Sequence, residues 1–379
     1  MAKKIYVGVN SAARRVKKAY VGVNGLARRI KKAYIGIGGV ARPCFSTEPE
    51  YWGETSQPLA TPQGCKASSS NTYAVFGGNG DVDSSIASKV TAYDKSLVRS
   101  LAEDFTTGRY NHMAAGIGEY VIFGGGCSDK GYCRTVEVYN GSLTKVTADN
   151  LYDSTYRGAG AKGKNHAFII GGYFGGTADA YDASLTHKTF NRGLEWPNTE
   201  NIAATSLGDY VIYGGGCKGS TTTRQDEMCA VNSSLTVTNL SYLSQGRWSL
   251  AAAKAGDYAL FGGGMYNESG TGKPVAPQAI VDAYNASLTR SAATELSAAR
   301  YGLLAASVED FAVFAGGETK SAYCTAADVY DKSLTRSNNF TLKYSHWGGD
   351  AAEIGSFALF GGGFGTDSTK IDTVEAITI

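Results

Sequence analysis

The sequence predicts an all-β chain, a seven-bladed β-propeller preceded by a small antiparallel β-hairpin arm, and three observations predict it. A short apolar run ending in glycines recurs seven times: YAVFGG (73–78), YVIFGG (120–125), AFIIGG (167–172), YVIYGG (210–215), YALFGG (258–263), FAVFAGG (311–317) and FALFGG (357–362). The glycine pairs begin at 77, 124, 171, 214, 262, 316 and 361, at intervals of 43 to 54 residues, the length of propeller blades. A second landmark follows each of the first six runs: YDKSL (93–97), YNGSL (139–143), YDASL (181–185), VNSSL (231–235), YNASL (284–288) and YDKSL (330–334). Residues 3–44 hold a different repeat with a strict period of 14.

Within a unit the pattern reads as four strands. The sixth is the clearest, with LLAASV, FAVF, AADVY and LTRSN each of strand length and flanked by turn-forming residues. Glycine pairs inside strands normally weaken them, so seven copies imply backbone packed too closely for side chains, as at the crowded centre of a radial array. The seventh unit stops at TVEAITI, where its own landmark should begin. Its missing last strand is expected from the segment before the first unit, within Pro43–Trp52, which closes the ring and removes exposed edges.

The N-terminal repeats are KKIYVGVNSAARRV (3–16), KKAYVGVNGLARRI (17–30) and KKAYIGIGGVARPC (31–44). Each holds an alternating strand, a two-residue turn (Asn10-Ser11, Asn24-Gly25, Gly38-Gly39) and a second strand, and Asn-Gly and Gly-Gly are strong hairpin signals because the favoured turns need positive φ. A small antiparallel meander is expected over 1–45, with the propeller over 46–379. About 45 residues are too few to be stable alone, so the arm should dock on the propeller, on copies of itself or on a larger assembly. Its assembly residues are Lys3, Lys4, Tyr6, Arg14, Arg15, Lys17, Lys18, Tyr20, Arg28, Arg29, Lys31, Lys32 and Tyr34.

Charge is split between the two parts. Of 36 basic residues 11 lie in the first 43, which hold no acid, leaving 25 against 34 acids, a net of −9, in the remainder. Basic blocks often bind nucleic acid through phosphates. Here the charges fall at fixed positions between Tyr, Val and Ile, which reads instead as a solvated or partner-facing strand surface and argues against nucleic acid.

The propeller units resemble kelch repeats. The residues that carry the resemblance are the L-x-x-x-R lead-in (Leu296 to Arg300), the apolar run into Gly316 and Gly317, and the Val329-Tyr330 pair, over roughly 50–379. Kelch units usually carry a tryptophan after the tyrosine, and Ser-Leu takes its place here, so the units are read as a diverged kelch-like family whose known partners do not carry over. The N-terminal YVGVNG-x-AR-x-x-KK-x-Y units are similar to those of tail and other virion proteins of phages and prophages of Gram-positive bacteria. That resemblance implies a virion location, exposure to the medium after lysis, other virion proteins as partners of the arm, and oligomeric display in the particle.

No run of about 18 apolar residues is present, which argues against a membrane span, and MAKKIYVGVNS lacks a signal-peptide h-region. The seven cysteines, 44, 65, 127, 133, 217, 229 and 324, have no CxxC spacing for a metal. Cys127 and Cys133, or Cys217 and Cys229, could close across a hairpin if oxidised; buried free thiols are the plainer reading. His112, His166, His187 and His346 fall in different units, against a copper-oxidase centre of two histidines, two tyrosines and a tyrosine-linked cysteine. The carboxylates Glu309-Asp310 recur with Gly208-Asp209 and Gly256-Asp257 at one structural turn. Neither a cofactor nor a catalytic residue is expected.

A binding face follows from alternation. In an up-and-down blade the segment leading into the first strand and the connection from second to third emerge on one side. The first class carries Arg109, Tyr110, Arg157, Arg247, Trp248, Arg300, Tyr301, His346 and Trp347; the second carries Tyr132, Tyr173, Phe174, Tyr266, Tyr323 and Phe364. Aromatic rings beside cations suit sugars, carboxylated ligands or protein hot spots, and loops on a rigid scaffold are where recognition usually sits. For the repeated arginines the alternative is structural, because one guanidinium can satisfy several carbonyls. The leading functional expectation is a non-enzymatic virion protein for host attachment, binding a surface glycan, a protein or a neighbouring subunit. An intracellular kelch-type scaffold, or a propeller enzyme of copper-oxidase type, is the alternative.

Overall fold

Every glycine-ended run is the second strand of a four-stranded antiparallel sheet, and seven such sheets stand around one axis. The computed structural model describes residues 49–378 except 63, 79–87, 174–175, 196–197, 219–222 and 267–275, and within 1–46 the backbone of six short strands. In the fifth blade the strands are Ala251–Ala255, Tyr258–Gly262, Val281–Asn285 and Arg290–Ala292. The first strands of the seven blades (Lys66–Ser69, Met113–Ile117, Ala159–Lys162, Ala203–Leu207, Ala251–Ala255, Leu304–Val308, Asp350–Ile354) line the axis. Each contacts the next, and the seventh contacts the first.

The hydrophobic core is divided among the seven blade interfaces. In one of them Phe261 and Tyr284 of the fifth blade pack with Ile212 and Met228 of the fourth. The last aromatic of the second strand meets the landmark tyrosine of the third edge to face, at 5.9 Å for Phe261–Tyr284 and 5.8 Å for Phe314–Tyr330, a favoured aromatic geometry. Tyr284 and Tyr139 turn their hydroxyls to the lead-in segment, Tyr284 to Ser241 O at 2.7 Å and Tyr139 to Glu103 O at 2.7 Å, whereas the buried Tyr330 hydroxyl has no such bond. The rest of the landmark is a hairpin turn. Asn285 Oδ1 accepts from Ser287 N (3.0 Å) and Thr289 N (2.9 Å), and Leu288 takes φ +61°. Leucine is costly in that left-handed region, and its six copies sit against or beside the interface cores, Leu97 and Leu143 being buried.

Arg109, Arg247, Arg300 and His346 of the lead-in segments are structural, which corrects the expectation that these four belong to a binding face; Arg157 stands apart. Four residues before the first strand stand Arg109, Arg247, Arg300 and His346, all fully buried. Each reaches an acid in the third strand of its own blade: Arg109 Nη2 to Glu137 Oε1 at 2.9 Å, Arg247 Nη1 to Asp282 Oδ2 at 3.0 Å, Arg300 Nη2 to Asp328 Oδ2 at 2.8 Å, His346 Nε2 to Glu375 Oε2 at 2.9 Å. The cation also holds carbonyls, Arg247 through Nε to Gly263 O at 2.8 Å and His346 through Nδ1 to Gly362 O at 2.9 Å. The acid in turn accepts the lead-in backbone, as Thr106 N to Glu137 (2.9 Å) and Ser297 N to Asp328 (3.1 Å). These side chains are 0–1% exposed and spend most of their donors inside the blade, only Nε of Arg109 and of Arg300 lacking a hydrogen-bond partner.

The ring closes as expected in kind and later than expected in position. Glu50–Glu54 is the outer strand of the seventh blade, pairing antiparallel with Val374–Thr378. Pro43 instead pairs with Tyr34 in the third hairpin, which runs to Ser46, so Pro43–Trp52 overlaps the closing strand only at Glu50–Trp52. A register shift at Ala376/Ile377 faces Gly53, whose φ of +113° suits glycine alone. Glu375 ties the closure together: it accepts from the Tyr51 hydroxyl, from Lys343 N (2.8 Å) and Tyr344 N (3.1 Å), and from His346.

The arm folds as three separate hairpins, Tyr6–Val9 with Ala12–Arg15, Ala19–Val23 with Leu26–Ile30, and Lys32–Ile37 with Val40–Ser46. The expected turn residues Asn10-Ser11, Asn24-Gly25 and Gly38-Gly39 lie outside the described residues, between the paired strands. The meander does not form among the described residues, because each repeat's ladder pairs only within itself. The arm residues Lys3, Lys4, Lys17, Lys18 and Lys31 lie outside the described residues, as do all side chains of the arm.

Three outcomes are expected. Deleting residues 1–55 abolishes the cooperative calorimetric transition of the propeller, whereas deleting 1–46 leaves it in place. Arg247→Ala or Asp282→Ala each destabilises by about 3–5 kcal/mol, the cost of orphaning a buried charge, and the double variant costs less than the two summed, measured by denaturant melts. Burial alone would raise the Glu375 carboxyl, but the bonds from His346, Lys343 N–H and Tyr51 outweigh it and hold it below its ordinary value. Its stabilisation is therefore complete above about pH 4.3, the unfolded carboxylate value, and is lost as pH falls through the lower folded value. The melting temperature of the native chain should drop faster than that of Glu375→Gln in this window, the curves converging in acid.

Candidate functional site

The residue after each of the buried Arg109, Arg247, Arg300 and His346 is aromatic, and so is its counterpart in the third blade. Three positions before the first strand stand Tyr110, Tyr156, Glu200, Trp248, Tyr301 and Trp347. Their backbones pair with the residue that follows the glycines of the same blade: Cys127 N to Tyr110 O at 2.9 Å, Tyr173 N to Tyr156 O at 3.1 Å, Met265 N to Trp248 O at 2.8 Å, Glu318 N to Tyr301 O at 2.9 Å and Phe364 N to Trp347 O at 2.9 Å. This pairing brings the two classes of connection together at one mouth of the channel.

One position further on, the chain takes left-handed backbone in blade after blade: Asn111 (φ +53°), Arg157 (+59°), Asn201 (+54°), Ser249 (+52°), Gly302 (+58°) and Gly348 (+75°). Five of them form a belt of backbone hydrogen bonds, Arg157 N to Asn111 O (2.9 Å), Asn201 N to Arg157 O (2.7 Å), Ser249 N to Asn201 O (3.3 Å) and Gly302 N to Ser249 O (3.0 Å). Such a belt holds the rim side chains on fixed backbone, since each strained residue is bonded to the next blade.

Within this rim lies a cavity of about 570 Å³ lined by Asn111, Arg157, Asn201, Trp248, Ser249, Tyr301 and Trp347, with Lys66 and Asp350 on its wall. That volume falls in the range of small-molecule sites. Two aromatic groups flank it. Tyr132 stacks on Tyr156 at 4.8 Å, with Tyr173 5.6 Å from Tyr156, and the Arg157 guanidinium lies over the Tyr156 ring at 5.4 Å. Across the ring Trp347 contacts Phe364 (5.5 Å), Tyr323 (6.1 Å) and Tyr301 (6.5 Å), and the Tyr301 hydroxyl donates to Glu318.

Of the fifteen expected face residues, Arg157, Trp248, Tyr301 and Trp347 line the cavity; Tyr132, Tyr173, Tyr323 and Phe364 belong to the flanking clusters. Tyr110 pairs with Cys127 beside the rim, and Tyr266 sits in the short hairpin Met265–Tyr266/Ala276–Pro277. Arg109, Arg247, Arg300 and His346 are buried as described, and Phe174 lies outside the described residues. Sequence reading missed Asn111, Tyr156, Glu200, Asn201, Lys66 and Asp350. The register would have found them, because aligning the first strands puts the rim residues in one column.

The chemistry on offer is recognition. Arg157 Nη1 bonds Glu200 Oε2 at 3.1 Å; the arginine side chain is 43% exposed and the glutamate 4%, so the cation faces the cavity and the anion faces the protein. Asp350 is raised by burial, opposed by Lys66, and accepts Ala67 N and Ala351 N, both at 2.9 Å. Burial pushes the Cys65 thiol up and, with the charges of Arg109 and Lys66, pushes His112 well below its usual value. His112 packs over Gly78, where an added Cβ would come within 2.2 Å of its ring. Among the described residues no group of three or more His, Cys, Asp or Glu side chains could hold a metal, and the thiols of Cys127, Cys133 and Cys229 are free. No described helix is long and apolar enough to cross a membrane.

No family profile matches the chain, and no curated protein matches it. Among solved structures the chain is similar to that of YjhT, with a TM-score of 0.56 at 15% identity, covering 73% of this chain and 95% of that one. A likeness at this identity concerns the fold, and it is the fold that the seven sheets display: a seven-bladed β-propeller.

Proposed function

We propose that the chain is a non-enzymatic phage virion protein, in which the basic hairpin arm anchors to the particle and the kelch-like propeller presents its channel mouth to the host surface or to a neighbouring subunit. The observation that carries the reading is the mouth itself: an open cavity with polar side chains on a bonded backbone belt, between two aromatic clusters. Fixed aromatic and hydrogen-bonding groups in a concave site suit binding, and the carboxylates there, Glu200 and Asp350, are tied to protein donors. The virion setting rests on the three arm repeats and their resemblance to those of phage tail proteins, supported by a charge split of 11 basic residues and no acid in 1–43 against a net of −9 beyond. The free thiols of Cys127, Cys133 and Cys229 favour one second reading, an intracellular kelch-type interaction scaffold.

Quantifying the chain by mass spectrometry in particles banded on a density gradient from an induced source culture should give a fixed stoichiometry, and its absence from the particles would overturn the virion reading in favour of the scaffold. Labelled full-length chain should bind host cells, and Trp347→Ala, which removes the centre of one aromatic cluster, should weaken that binding by about tenfold or more.

A further inference from the structure

We infer that Arg157 is an anion-binding residue, and that the cavity it faces takes a carboxylate or phosphate carried on a sugar or polyol. The inference deepens the reading of the mouth as a binding site and does not depend on membership of a particle.

Comparison between blades sets Arg157 apart. Where a blade carries a cation four residues before its first strand, its third strand carries the acid that receives it, as in Arg109–Glu137, Arg247–Asp282, Arg300–Asp328 and His346–Glu375. The third blade departs from this rule. Thr155 stands at the cation's position, and its Oγ1 donates to Gly171 O at 2.8 Å, the same carbonyl role that Arg247 Nε fills at Gly263. Its acid, Asp179, is satisfied instead by His187 at 2.7 Å and by Tyr152 N at 2.9 Å. Although the fully buried Arg192 lies beside Gly171, the blade therefore has no arginine at the clamp position. Arg157 lies two residues later, in the rim column that elsewhere holds Gly64, Asn111, Asn201, Ser249, Gly302 and Gly348, and it is the only charged member.

The surroundings orient it outward. Glu200 and the Tyr156 ring fix one edge and one face of the guanidinium, and its other N–H groups have no protein partner among the described residues. Asn111 and Asn201, bonded to it through the main chain of the belt, also line the cavity, and Asn201 Nδ2 donates to Cys217 Sγ at 3.8 Å. Lys66 adds a second cation to the wall, while Glu200 and Asp350 are occupied by protein donors. A guanidinium presenting free donors binds planar oxyanions through paired bonds. Further round the wall are the aromatic residues Trp248, Tyr301 and Trp347 and the hydroxyl-bearing Ser249, a composition that complements a ligand charged at one end and carrying C–H faces and hydroxyls at the other. A sugar or polyol acid has that composition.

The test is calorimetric titration and saturation-transfer NMR of the full chain with D-glucuronate, D-glucose 6-phosphate, neutral D-glucose and N-acetylglutamate. At least one of the two anionic sugars should bind about tenfold to a hundredfold more tightly than glucose, the worth of a charge-assisted contact, and the stronger of the two identifies carboxylate or phosphate. Arg157→Gln should erase the preference and Arg157→Lys retain part of it. Because Arg157→Gln leaves Glu200 buried without its partner, Arg157→Gln/Glu200→Gln is measured alongside and should behave the same with an unchanged melt. Equal binding of glucose, a preference that survives in folded Arg157→Gln/Glu200→Gln, or no binding of either anionic sugar at about 20 mM, far above a weak millimolar constant, would each overturn the inference. Preference for N-acetylglutamate over both sugars would assign the site to a protein carboxylate and overturn the sugar assignment. Particle stoichiometry does not enter these measurements, so the virion reading and this one fail separately.

Discussion

The molecule depends on how closely one blade approaches the next at the glycines. Gly264 N donates to Arg300 O at 2.9 Å and Gly317 N to Ser345 O at 2.9 Å, bonds that cross from one blade to the lead-in backbone of its neighbour. A Cβ at Gly263 would stand 2.7 Å from Arg300 O, and one at Gly316 only 2.0 Å from Ser345 O. No side chain fits, and the positive φ of these residues excludes most substitutes as well. From that approach follow the belt at the mouth, the division of the core among seven interfaces and the need for a seventh blade completed from the other end of the chain.

Much of this was legible in the sequence because it repeats. Seven glycine runs fixed the number of blades, the truncated last unit pointed to closure from upstream, and the Asn-Gly and Gly-Gly pairs located the hairpins of the arm. The position of the closing strand was less legible: Pro43 and Cys44 belong to a 14-residue repeat whose final strand simply runs on to Ser46, and nothing local marks where one pairing stops. The arginines were the harder case. Arg109, Arg247, Arg300 and Arg157 all precede an apolar strand, and a shift of two residues separates a buried clamp from an exposed rim side chain. A usable signal lay elsewhere, in the acid two residues before the landmark tyrosine, Glu137 before Tyr139, Asp282 before Tyr284 and Asp328 before Tyr330. It tells which arginine is already engaged.

Departures from the repeat are therefore as informative as the repeat. The first and fourth blades carry Thr91 and Cys229 where others have the acid, and Pro62 and Thr199 where others have the cation, so both partners are absent together. That joint loss is what the energetics of burial demand, since a half-pair would leave a charge uncompensated. The third blade alone keeps an acid and an arginine that do not meet.

The belt of left-handed residues has a consequence for how such a molecule changes over time. Its members hold one another through main-chain atoms, Asn111 to Arg157 to Asn201 to Ser249 to Gly302, and a main-chain bond is indifferent to the side chain attached. The aperture behaves as a fixed bezel with interchangeable stones: what it selects can drift one residue at a time while its diameter stays the same.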